Sequence, residues 1–188
     1  MFPVYLELGF DHILDLNGYD HILFLIALCA IFSIRDWKKI IVLVTAFTIG
    51  HSITLALSSL RMVSVPADLI ELLIPVTILL TALQNLWYKS SPDKKWGLNY
   101  FLALFFGFIH GMGFSNFFKA LLGQEAEIIL PLLAFNLGVE LGQLCIVACI
   151  IAVNYLVTGT FKLPQRIWTI TVSIVAAALS VYLIIQKL

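Results

Sequence analysis

Charge is what this sequence has least of. Of its 188 residues only 12% are Asp, Glu, Lys or Arg, against 61% hydrophobic, whereas a soluble domain carries about 25% charged residues. So few charges cannot make a water-facing surface, which excludes a small soluble enzyme, a disordered regulator and a nucleic-acid binder. The eleven basic and eleven acidic residues cancel, so the chain has no general attraction for polyanions. Cysteine is sparse too. Cys29, Cys145 and Cys149 all sit in apolar runs, against a disulfide framework or a thiolate zinc site. Residues 1–20 contain no Lys or Arg, so no basic segment announces a removable signal peptide.

Long apolar runs are abundant instead. A helix needs about 20 mostly apolar residues to cross roughly 30 Å of hydrocarbon. Six stretches qualify: Tyr19–Ile34, Lys39–Leu60, Pro66–Tyr88, Leu98–Phe118, Glu127–Val157 and Gln165–Gln186. The expectation is an all-α, polytopic membrane helix bundle in one domain over residues 1–188. Lys and Arg crowd the loops after the first, third and fifth spans (Arg35, Lys38, Lys39, Lys89, Lys94, Lys95, Lys162 and Arg166), while the other side has Arg61, Lys119 and Lys187. Cytoplasmic loops carry such an excess, which places both termini outside the cytoplasm. Residues 1–17 precede the spans as an amphipathic segment. Phe2, Leu6, Phe10, Ile13 and Leu14 share one helical face, and Glu7, Asp11, His12 and Asp15 another. A short helix on the outer leaflet fits that pattern; the row of carboxylates beside a histidine also suits cation collection.

Against this background a few polar residues stand out. Ionisable side chains inside spans cost a few kcal/mol each and tend to mark function. Here they are His21, His51, Glu71, His110 and Glu140, with Asp20 at the rim and His12 just before. Counted along the helices, all lie between the outer surface and about the bilayer midplane. No Lys or Arg within the spans is available to pair with Glu71 or Glu140, which favours a metal ion as their counter-charge. Imidazole with carboxylate suits Ni, Co, Zn, Fe or Mn. The surplus over one tetrahedral zinc shell permits one or two ions. Thr48, Thr54, Asn136 and Gln143 lie at helical spacing around these residues and would orient ligands by hydrogen bonding, or serve as ordinary interhelical contacts. Glycines flank the same positions, in Gly107-Phe-Ile-His110-Gly-Met-Gly113 and Gly138-Val-Glu140-Leu-Gly142. A short internal match, Ala-Phe-Thr-Ile-Gly at 46–50 and Ala-Phe-Asn-Leu-Gly at 134–138, hints at an inverted repeat of three spans, an arrangement of transporters that bind substrate near the midplane.

The segments Gly18-Tyr-Asp20-His21-Ile-Leu-Phe, Phe47-Thr-Ile-Gly-His51-Ser-Ile-Thr-Leu, Glu71-Leu-Leu-Ile, Phe106-Gly-Phe-Ile-His110-Gly-Met-Gly-Phe and Phe135-Asn-Leu-Gly-Val-Glu140-Leu-Gly-Gln resemble the HupE/UreJ family of bacterial membrane proteins. The resemblance implies an inner-membrane protein of the nickel or cobalt permease kind. The seven-residue spacer between His12 and Asp20-His21 resembles the second branch of that family rather than its nickel-uptake pattern. Two functions follow as expectations. One is a divalent transition-metal transporter using His21, His51, Glu71, His110 and Glu140, with His12 and Asp20 at the mouth. The other is a membrane-embedded metalloenzyme holding one or two ions tightly. A metal-stabilised accessory protein without turnover is a third expectation. The partners implied are the lipid bilayer and metal ions, with no nucleic acid.

Overall fold

A computed structural model describes residues 1–16, 18–63, 65–87, 96–122 and 128–188. Lys89, Lys94, Lys95 and Glu127, with the span end at Tyr88, lie outside the described residues. The rest is helical: α1 (Phe2–Leu14), α2 (Asp20–Cys29), a 3-10 turn (Ile34–Asp36), α3 (Trp37–Ser59), α4 (Ala67–Trp87), α5 (Trp96–Leu122), α6 (Ile129–Tyr155), a π-helical turn (Leu156–Thr160) and α7 (Gln165–Lys187). Five of these, α3 to α7, are long and apolar enough to cross a membrane. Their outward faces carry bulky apolar side chains, such as Ile49 and Ile53 on α3, Phe101 and Phe105 on α5, and Leu133, Leu137 and Leu141 on α6. Such a surface is stable against lipid, not water. The chain is a multi-pass membrane helix bundle.

The first expected span is different. Tyr19–Ile34 forms only the ten-residue α2, which rises about 15 Å, half of the hydrocarbon core. Nor does α1 lie apart on a surface. It buries Tyr5, Gly9 and Ile13 and packs lengthwise on α6. A methyl group added to Gly9 would lie 2.0 Å from the Phe135 carbonyl oxygen, and one on Gly138 2.0 Å from that of Leu6. Further along, Gly142 meets Phe10 and Ile13, so the two helices run parallel. α2 continues the same way and ends at the far side of the bundle. There Asn85 of α4 donates to the Ala27 carbonyl, Asn154 of α6 to Phe32, and Thr169 of α7 to Ala30. These donors satisfy carbonyls that a helix end leaves unpaired. Together α1 and α2 form one traverse, interrupted between Leu14 and Asp20. The amphipathic pattern misled because α1 is covered along one side by α6, with Tyr5 meeting Phe118 of α5 edge-on, and because Asp11 and Asp15 line a cavity, leaving Glu7 exposed.

The helices associate in three intimate pairs. α1 lies along α6. α3 lies along α5, where Gly50 and Gly107 are each so placed that a methyl group would sit 2.2 Å from a carbonyl oxygen of the other helix, Leu104 and Phe47 respectively. Small residues are what permit such approach. α4 and α7 run antiparallel. Glu71 near the start of α4 binds Lys187 at the end of α7, and Arg166 at the start of α7 donates to the Asn85 and Leu86 carbonyls. Exchanging α1 with α5, α3 with α6 and α4 with α7 turns this pairing into itself. The contact atoms follow the same exchange: Gly50 on Leu104 corresponds to Gly138 on Leu6, and Gly107 on Phe47 to Gly9 on Phe135. The short match at 46–50 and 134–138 is thus one trace of a repeat that extends over the whole bundle. α5 runs unbroken where its counterpart is split into α1 and α2.

Candidate metal centre

Four imidazoles meet beside the break between α1 and α2. His12 comes from the last turn of α1, His21 from the first turn of α2, His51 from α3 and His110 from α5. His12, His21 and His51 each present a ring nitrogen within 4.8 Å of the others. The His110 ring lies 5.2 Å from that of His21, and His12 and His21 are 4.6 Å apart, centre to centre. His51 lies eight residues from the end of α3, a depth on the order of 12 Å.

The hydrogen bonding of these rings is one-sided. His110 donates from Nδ1 to the Phe106 carbonyl at 2.9 Å. His51 Nδ1 faces Asn136 Oδ1 at 3.5 Å, an orientation set because the Asn136 amide nitrogen is committed to the Leu132 carbonyl. His21 Nδ1 lies 3.0 Å from Asp20 Oδ1. In all four histidines Nε2 is buried with no hydrogen-bond partner. Buried polar atoms are rarely left so, because each costs about 1–3 kcal/mol. His51 and His110, which donate through one nitrogen and keep a bare lone pair on the other, have the form of metal-ligating histidines with an orienting partner, whereas both nitrogens of His21 lack a hydrogen-bond partner. Phe24, Phe47, Phe114 and Phe135 enclose the cluster, with Phe114 at 3.9 Å from the His12 ring.

One side is open. A cavity of about 670 Å³ reaches His12, His21 and His110 from the end of the bundle where α3, α5 and α7 finish. Asp11, Asp15, Asp20 and Glu71 line it, with Lys187. A cation arriving there passes carboxylates before it meets imidazole, and clefts lined by one sign of charge concentrate the opposite ion.

Some expected ligands stand elsewhere. Glu71 is in the cavity wall, but its carboxylate is held by Lys187 at 2.5 Å. The expectation that no Lys or Arg within the spans was available to pair with it did not consider Lys187 just past the last span, which the antiparallel α4–α7 pair brings back beside the first turn of α4. Glu140 binds two hydroxyls of α3, from Thr45 at 2.6 Å and from Thr48. Gln143 joins Thr48 at 2.7 Å. Thr54 turns back to the Gly50 and His51 carbonyls of its own helix. Of the four residues expected to orient ligands, only Asn136 reaches an imidazole. Sequence reading missed the phenylalanine box and Thr45. A signal for pairing His12 with His110 was present: Leu6-x-x-Gly-Phe-x-His12 repeats as Leu104-x-x-Gly-Phe-x-His110, and the exchange of α1 with α5 relates the two residues.

No curated protein and no solved structure shows significant similarity to the chain. The family model described as HupE / UreJ protein, however, matches residues 1–186. On that match over essentially its whole length, the chain belongs to the HupE/UreJ family.

Proposed function

We propose that the protein carries a divalent transition-metal ion of the nickel and cobalt class across the membrane, with His12, His21, His51 and His110 as the transient ligands and Asp20 beside them. The observation that carries this reading is the convergence of ring nitrogens of His12, His21 and His51 within 4.8 Å of one another, with the His110 ring 5.2 Å from that of His21 and every Nε2 unpartnered, at an interrupted traverse on the interface between two inverted halves. Discontinuous helices at a repeat interface are a recurrent way of holding a transported ion near the midplane. Neutral imidazoles bind an ion without adding negative charge, which suits a site that must also release it. The Lys and Arg bias of the loops supports an outward-facing cavity with both termini outside the cytoplasm of a bacterial inner membrane. The test is uptake of Co²⁺ or Ni²⁺ by proteoliposomes. The expected result is saturable flux that His51→Ala and His110→Ala abolish; correctly folded protein without flux of either ion overturns the proposal.

One observation favours catalysis instead. The 670 Å³ cavity is far larger than a metal ion and has the size of a small-molecule site. A metalloenzyme would keep its ion through chelator washes at a fixed stoichiometry, whereas the transporter is expected to lose it.

A further inference from the structure

A second, much smaller cavity of about 20 Å³ lies toward the end of the bundle opposite the large one. Leu28 near the end of α2, Gln84 and Asn85 of α4, and Asn99, Ala103 and Phe106 of α5 are among its walls. Exchange of the two halves relates the two cavities. The offset that takes Gly9 to Gly107 and Leu6 to Leu104 takes Leu8 to Phe106. Leu8, one turn before His12, lines the large cavity; Phe106, one turn before His110, lines the small one. The helix contacts around them differ in the way the volumes do. α5 packs against α4, whereas among the described residues their counterparts α1 and α7 scarcely touch and border the large cavity.

The small cavity is polar without being charged. Asn99 is only 6% exposed, and its Nδ2 has no hydrogen-bond partner. Its Oδ1 accepts from Gln84 Nε2 at 3.0 Å, across the seam between α5 and α4. Asn99 borders the cavity whichever way its amide is turned. A polar space of this size holds about one water. One layer of rings divides it from the imidazoles. Phe106 meets Phe24 edge-on at 5.8 Å, and Phe24 lies 5.4 Å from His110. Away from the rings, Asn99 is three residues from the start of α5, about 5 Å from the end of the helix. Polar side chains therefore continue from the ring layer almost to the far face.

We infer that this cavity is the closed counterpart of the open one: a second vestibule, through which the divalent ion leaves the imidazoles toward the face opposite its entry. Uncharged amide and hydroxyl groups hold such an ion weakly and with its water, which suits release. In the open form the closely packed α3–α5 pair stands away from α2 and α4, drawing Asn99 off Gln84 and Phe106 off Phe24. The large cavity shuts by the equivalent step, in which the α1–α6 pair closes on α7 and brings Leu8 inward.

The inference rests on the transport reading for what passes, but not for the vestibule itself, and the experiment keeps the two apart. In protein whose native cysteines are replaced by serine, Ala103→Cys puts a thiol in the wall of the small cavity, where Ala103 is fully buried, and Leu8→Cys puts one in the wall of the large cavity. The probe is a membrane-impermeant, positively charged methanethiosulfonate, applied to one face of sealed vesicles at a time. Leu8→Cys is expected to react from the face of the large cavity, and Ala103→Cys from the opposite face alone. Ala103→Trp, which fills the small cavity, is expected to keep the visible absorption of bound Co²⁺ and to lose Co²⁺ uptake. Ala103→Cys that stays unlabelled from the opposite face, or is labelled from the face of the large cavity, overturns the vestibule. So does Ala103→Trp with uptake at the unaltered rate. If Ala103→Trp loses the Co²⁺ absorption, the labelling alone decides. Unaltered protein that binds Co²⁺ without carrying it overturns the transport reading, while labelling of Ala103→Cys still decides whether the second vestibule opens.

Discussion

A bare imidazole nitrogen buried among phenylalanines costs free energy to no structural benefit, and four of them in one place cost it four times over. The proposed metal centre thus gathers residues whose burial is costly unless the bare nitrogens find a partner. Asn136 is the side chain that holds His51 in its donating orientation. Asn136→Ala is expected to weaken Co²⁺ binding roughly 10- to 100-fold, the usual consequence of removing such a partner; Co²⁺ titration calorimetry measures it. Glu71→Gln provides the contrast, because the Glu71 carboxylate is engaged by Lys187. It is expected to leave the Co²⁺ affinity at its original value while slowing uptake at low metal concentration, as one cavity carboxylate is lost. The histidines were legible from sequence because polar residues inside apolar spans are so few. The carboxylates misled because the distinction between metal, ammonium and hydroxyl partners depends on which helix lies alongside.

At the scale of elements, glycine-mediated contact decides where His12 goes. α1 is only thirteen residues long, and it holds its place through the close approach of Gly9 and Gly138 to α6 backbone. Gly138→Val would force the helices apart at the Leu6 carbonyl. Overpacking of this kind costs about 1–3 kcal/mol. The expected outcome is a lower melting temperature in detergent together with reduced metal affinity, since α1 would carry His12 away. At the other end of the traverse, Asn85→Ala removes the side-chain donor to the Ala27 carbonyl, which keeps the 3.4 Å bond from the Ala30 N–H. Its expected cost of about 1–3 kcal/mol should appear as lost thermal stability with the metal affinity retained. The five long helices could be read from apolar length alone. The interruption could not, because residues 2–34 look like a surface helix followed by a short span until α6 is seen to cover the first and the α2 carbonyls to be capped from α4, α6 and α7.

The whole molecule is two similar halves placed in opposite directions, and the orientation proposed from the loop charges is open to a direct test. With the native cysteines replaced by serine, Met62→Cys is expected to react with a membrane-impermeant maleimide in intact cells, and Lys162→Cys only after lysis. The reverse pattern would turn the cavity toward the cytoplasm and make the protein an exporter. The repeat was faint in sequence because exchange of the halves conserves only what the pairing demands: glycines at helix contacts, Ala-Phe beside them, and the histidine of Leu-x-x-Gly-Phe-x-His. Residues facing lipid have no such demand and have drifted.

The interrupted traverse also bears on how the protein is made. Neither α1 nor α2 is long enough to be taken into the bilayer as a span in its own right, and the helix that receives α1 is α6, whose contact residues emerge about 130 residues later. At the ordinary pace of bacterial synthesis, roughly 5–20 residues per second, the beginning of the chain waits on the order of 10 s for its partner. Until then His12 and His21 lack the α1–α6 contact that positions them, whereas His51 and His110 already lie on the closely packed α3–α5 pair. The proposed metal site would therefore be among the last parts of the molecule to close, so that a nascent chain would have no complete histidine cluster with which to capture an ion before its membrane topology is set.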